Sequence, residues 1–107
     1  MTMHADLAQG RWHSFSVAEQ LAHVGSEVDR AIRAWDAGRS ERFDRALARA
    51  LELFDLTAAD PRWRGARRRE ILRVREEFCR LFFGDAPAGS ARGLSAYFFR
   101  FAVLARR

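Results

Sequence analysis

DPRWRGARRREILRVREEFCRLFF, residues 60–83, combines a helical hydrophobic period, a dense arginine cluster and an aromatic end. Ile71, Val74, Phe78, Leu81 and Phe82 recur at intervals of three and four, which sets them on one stripe of a helix. Gly84 stops it. Asp60 and Pro61 read as N-cap and first helical residue, and Gly65 weakens the first turn, so the firm helix is predicted over 66–83. Between Arg62 and Arg80, eight Arg face Glu70, Glu76 and Glu77. The other eleven Arg are balanced by eleven acidic residues, so the formal net charge of +5 resides in this segment.

Upstream, Ser40 reads as the cap of a second helix, with Glu41 favouring the macrodipole in its first turn. Its inner face is Phe43, Ala46, Leu47, Ala50, Leu51 and Phe54, widened by Leu53. Before that, Ser16 to Glu19 form a capping box in which each residue satisfies the other's backbone amide. Val17, Leu21, Val24, Val28, Ala31, Ile32 and Trp35 then define a first helix over 17–37, ended by Gly38. Asp29–Arg33 and Glu19–His23 fall at pairing distance on its polar side. The short break at Gly38 forces helices one and two into a hairpin. Residues 1–14 lack periodicity and read as a flexible tail, with Trp12 the first residue to reach the core.

Downstream, the small-residue loop 84–93 leads into a last helix at about 91–105. Leu94, Tyr97, Phe98, Phe101, Leu104 and Ala105 lie on one side of it, Phe99 and Val103 on the other. A helix apolar on two sides must be covered on two sides, either inside the bundle or by a second copy. No stretch alternates with period two, so no strand is predicted. The expected fold is all-α: a single-domain four-helix bundle over 15–107 with up-down connections.

A chain of 107 residues that is 49% hydrophobic and 31% charged can bury one core. A lone Cys79 excludes an internal disulfide and suits a reducing compartment. Without an apolar run long enough to span a bilayer, or an apolar leader, the expectation is a cytoplasmic protein with no membrane contact. The chain has nineteen Arg, no Lys and no Asn, a pattern of GC-rich coding. The choice of Arg over Lys therefore carries little information, whereas the clustering of Arg does.

Arg62, Arg64, Arg67, Arg68, Arg69 and Arg73 are the candidate binding residues. Cations at a helix N-terminus oppose its dipole, and a bound anion relieves that opposition. The competing reading is a solvated face laced by Glu70–Arg73, Arg73–Glu77 and Glu76–Arg80 pairs. His4, His13 and His23 show no metal-ligand spacing, and Cys79 has no local base. No phosphate loop or nucleophile elbow is present, so neither a cofactor nor a catalytic residue is assigned.

Two resemblances accompany this reading. Gly38, Phe43, Leu47 and Ala50–Leu53 fall at offsets similar to one tetratricopeptide unit, without a second copy and with Pro61 several residues late. Over a longer span, GSEVDRAIRAW (25–35), the stretch Arg49–Gly65 and YFFRFAVLARR (97–107) resemble a family of small prokaryotic helical proteins. Their architecture is similar to HEPN bundles, nucleotide-binding helical domains that act beside nucleotidyltransferases or as toxins. Active members carry Arg followed four to six residues later by His, and no Arg precedes His13 or His23 at that interval. The resemblance implies the fold and a non-catalytic binding role.

The expected function is an interaction module, homodimeric through Phe99 and Val103, binding an acidic protein or nucleic acid through Arg62–Arg73. The alternatives are a HEPN-type RNA-acting enzyme with other catalytic residues, and a structural subunit of a larger complex.

Overall fold

Four helices follow from the signals above: α1 (Val17–Asp36), α2 (Ser40–Ala58), α3 (Ala66–Phe83) and α4 (Ser90–Ala105). The structure is a computed structural model and describes residues 10–107; of the expected tail, residues 1–9, His4 among them, lie outside the described residues. Residues 10–12 are helical as well, and Trp12 is buried. No strand occurs among the described residues. The Cα radius of gyration, 13.8 Å, is close to the ~13 Å of a compact chain of about 100 residues.

The capping box of α1 forms as expected: the Ser16 hydroxyl accepts from the Glu19 amide at 3.1 Å, and Glu19 Oε1 accepts from the Ser16 amide at 2.9 Å. Those bonds hold the Glu19 carboxyl below its ordinary pKa. At the other end Gly38 adopts φ +69°. Its amide donates to Trp35 O and that of Arg39 to Ala34 O, the paired bonds of a Schellman turn. Ser40 is not a cap. Arg39 occupies that position without a side-chain bond, because the turn already places Ser40 inside α2.

α3 occupies the span predicted for its firm part, 66–83, but Asp60 and Pro61 do not open it as cap and first helical residue. Asp60 and Pro61 belong to a turn, and the helix begins five residues past Pro61, at Ala66. Gly65 at φ 59°, ψ −126° precedes it in a conformation that favours glycine. Asp60 does not cap α3, because its carboxylate is committed elsewhere.

Phe54, Phe78, Leu21 and Ile71 are the largest apolar side chains fully enclosed in the core. Phe54 meets both Phe78 of α3 and Phe98 of α4, with centroids 5.8 and 6.0 Å apart. α1 packs most extensively on α2 and α4, and α3 closes the remaining side. Gly25 sits against Phe98: a Cβ there would lie 2.5 Å from that of Phe98. Trp35, predicted on the core stripe, is 49% exposed because it stands at the open end of α1, leaning on Phe43 and Phe82. Leu104, also expected inside, is 49% exposed in the last turn of α4.

Candidate anion-binding surfaces

A buried carboxylate organises the α2–α3 turn. Asp60, 1% exposed, accepts from the Arg62 amide at 3.0 Å across Pro61, an Asx turn. The Arg62 guanidinium closes on the same carboxylate, Nε 3.0 Å from Oδ1 and Nη2 2.6 Å from Oδ2, and Gln20 Nε2 donates to Oδ2 at 3.0 Å. Burial alone would raise the Asp60 carboxyl. The bonds from Arg62, then from Gln20, outweigh it and hold the group well below the usual carboxylate range.

The network continues from there. Gln20 also donates to Trp12 O and accepts from Trp63 Nε1 at 2.6 Å. Trp12 Nε1 donates to Thr57 Oγ1 at 2.8 Å, and Thr57 donates to Leu53 O. Arg62 Nη2 reaches Phe15 O at 2.6 Å, while the guanidinium carbon lies 4.5 Å from the Trp63 ring centre. Among the described residues no buried side-chain nitrogen or oxygen lacks a partner, the condition under which a polar network rigidifies a core.

The six candidate arginines therefore divide. Arg62 belongs to that network. Arg64 Nε donates to Pro61 O, both in the turn ahead of α3. Arg68 Nε donates to Ala58 O at 3.0 Å, satisfying a carbonyl at the end of α2. Arg73 pairs with Glu77 at 2.7 Å. Arg67 and Arg69 are exposed and enter no ion pair among the described residues.

Of the three lacing pairs expected along α3, only Arg73–Glu77 forms. Glu70 instead accepts from the Tyr97 hydroxyl at 2.7 Å, and burial together with that bond drives the phenol well above its ordinary pKa. On α1, Asp29 accepts from Ser95 Oγ at 2.7 Å rather than pairing with Arg33. Arg75 reaches across to Asp55 at 3.0 Å.

A second basic surface was not read from the sequence. Arg30 and Arg33 of α1, Arg39 of the turn, and Arg42, Arg45 and Arg49 of α2 line one groove of about 670 Å³. Glu27 is its single acidic lining residue. Arg30 is paired with Glu27 at 2.8 Å and Arg49 with Glu52. Arg33, Arg39, Arg42 and Arg45 are exposed and in no ion pair among the described residues. The signal was present as arginines three and four apart on two adjacent helices. A segment-wise charge count hid it: Asp29, Asp36, Glu41, Asp44 and Glu52, together with Glu27, cancel the six arginines, yet of these only Glu27 lines the groove.

On α4, Phe99 (55% exposed), Val103 (40%) and Leu104 form an outward apolar patch with Ala96. His13 Nε2 lies 3.2 Å from Leu56 O, and His23 packs against Trp12 and Phe15. Cys79 is half-buried. Among the described residues no His, Cys, Asp and Glu gather as a metal site, and no helix is long and apolar enough to cross a membrane. No protein-family model, no curated protein and no solved structure matches the chain.

Proposed function

We propose that this chain is a non-catalytic interaction module: an up-down four-helix bundle, homodimeric through α4, that engages a polyanion through the exposed arginines of α3. The polyanion is nucleic acid or an acidic protein surface. Contacts between neighbouring helices support the up-down course. Ala58, Asp55 and Phe54 of α2 meet Arg68, Arg75 and Phe78 of α3, one set of numbers falling as the other rises. Gly25 and Asp29 of α1 meet Phe98 and Ser95 of α4 in the same reversed order.

One observation carries the functional reading. Arg67 and Arg69 stand exposed and unpaired among the described residues, at the start of a helix with no acidic residue in its first turn and no side-chain cap. Local charge there is uncompensated, and a phosphate or carboxylate supplies the compensation. Fluorescence anisotropy with a labelled single-stranded RNA at low salt tests it. Arg67→Gln with Arg69→Gln, leaving Arg68 on its carbonyl, is expected to weaken binding about tenfold, the scale of two lost phosphate contacts. Unchanged affinity removes α3 as the contact surface.

Self-association rests on Phe99, Val103 and Leu104, whose exposure leaves an apolar patch uncovered on the protomer. Phe99→Asp is expected to sediment as a folded monomer where the parent chain sediments as a dimer. Equal masses for the two proteins contradict the dimer.

A further inference from the structure

Antiparallel faces of α1 and α2 meet in a groove with four arginines outside any ion pair among the described residues: Arg33, Arg39, Arg42 and Arg45. All four are exposed. No residue of α3 or α4 contributes to its lining, so it is separate from the α3 surface of the proposed function. The neighbouring hollow along the same two helices adds Arg11 and shares Glu27, Arg30 and Arg49, which extends the positive track toward the N-terminal turn.

At the other end the groove runs into an aromatic recess. Ala34 and Arg39 line both the groove and the recess, whose walls include Trp35 and Phe43. Trp35 offers about half its surface to solvent. Its ring is braced by Phe43 at 5.0 Å and Phe82 at 5.1 Å between centroids, which fixes an aromatic side chain at the mouth of an arginine track.

That juxtaposition discriminates among polyanions. An acidic peptide would use the arginines and leave Trp35 idle. A duplex presents phosphates but keeps its base faces stacked inside. A single strand offers both a phosphate backbone for the arginines and an unstacked base face for the indole, the pairing of features found in sequence-tolerant strand binders.

We propose that the α1–α2 groove is a single-stranded nucleic-acid site, in which Arg33, Arg39, Arg42 and Arg45 hold the phosphate backbone and Trp35 stacks on a base. It names the polyanion left open in the proposed function and adds a second surface for it, so it rests on that reading in part. The strand would enter at the Schellman turn beside Trp35 and run along the helices toward Arg30 and Arg49.

The test uses the full chain, a short fluorescein-labelled oligothymidylate, a duplex of equal length and a polyglutamate peptide. Anisotropy reports affinity, and circular dichroism reports whether each variant is folded. Arg33→Gln/Arg42→Gln/Arg45→Gln alters only exposed side chains and is expected to flatten the plot of log affinity against log salt by about two, given a slope near 0.7 per phosphate contact. Trp35→Leu is expected to lower oligothymidylate affinity about five- to hundredfold, the range for one lost base stack, with the duplex far less affected. If the groove variants bind as the parent does while Arg67→Gln/Arg69→Gln weakens binding, this site is wrong and the α3 surface stands. Tighter binding of polyglutamate than of oligothymidylate overturns the strand assignment. Absence of binding to all three probes at low salt overturns both readings.

Discussion

Arg62→Met is expected to destabilise the protein by about 3 kcal/mol, the lower end of the range for breaking a buried charge pair. The reason is which member of the pair is buried. The Arg62 side chain is 41% exposed and can hydrate, whereas that of Asp60 is 1% exposed and cannot. Methionine keeps most of the side-chain volume but leaves the carboxylate, among the described residues, with only Gln20 and one backbone amide as donors. It also releases Phe15 O, so the N-terminal turn loosens with it. Asp60→Asn should be milder, because the guanidinium it strands faces water. In the double variant the neutral amide no longer needs a cation, and part of the loss should be recovered.

The pH dependence follows the same logic. The Asp60 carboxyl is depressed when folded, so its ionisation contributes stability above the ordinary carboxylate value near pH 4. That contribution is withdrawn as pH falls from there through the depressed folded value. In Arg62→Met burial dominates and the carboxyl rises instead. The stability gap between the two proteins should therefore narrow on acidification in two stages: above about pH 4 as the raised carboxyl of Arg62→Met takes up its proton, and below about pH 4 as the parent's contribution is withdrawn. Urea unfolding at neutral and acid pH reads both effects. A gap that stays constant with pH would show that Arg62 acts through packing alone.

The second large effect is expected at Gly25. An added Cβ would come within 2.5 Å of Phe98 Cβ and 2.9 Å of its Cγ, a clash with the root of a buried ring that cannot swing aside. Overpacking of this kind costs about 1–3 kcal/mol, against roughly 1 kcal/mol of helix propensity gained by alanine. Gly25→Ala should thus lose stability overall and should push α1 away from α4 at Phe98. Gly93→Ala is the matched control. It also lies inside a helix, with nothing within 4 Å of an added Cβ, and is expected to gain up to about 1 kcal/mol. Thermal melts of the two variants should move in opposite directions. A stabilised Gly25→Ala would mean that the α1–α4 approach is looser than described.

Much of the fold was legible because it rests on local signals. The Ser16–Glu19 box, Gly38 and the stripes of Leu21, Val24, Val28 and of Ile71, Val74, Phe78 needed only spacing and residue type to be read. The turn at 60–65 was misread because Asp60 has two chemical options that look alike in sequence. An aspartate before proline can cap a helix or close an Asx turn. Gln20, forty residues away, and Arg62 decide it by enclosing the carboxylate. Gln20 itself, fully buried in α1, lies three residues after Val17 and four before Val24, and this polar residue at apolar spacing was the one local signal of the network.

The candidate surface was legible only in part. The six arginines around α3 are where the sequence puts them, but their freedom depends on carbonyls such as Ala58 O and Pro61 O that only the folded chain brings near. The groove arginines failed to register for the opposite reason. Charge was summed along the chain, while the fold sorts it by helix face, placing Arg42, Arg45 and Arg49 beside Arg30 and Arg33.

The most direct test of the central claim, that this chain is a polyanion-binding module, is its affinity for a labelled single-stranded RNA across a salt series. Arginines that displace counterions give a linear fall of log affinity with log salt, with a slope near −0.7 for each phosphate contacted. Four contacts predict a slope of about −3, or roughly a fiftyfold loss for a fourfold rise in salt. No detectable binding at low salt, or an affinity indifferent to salt, would contradict the claim.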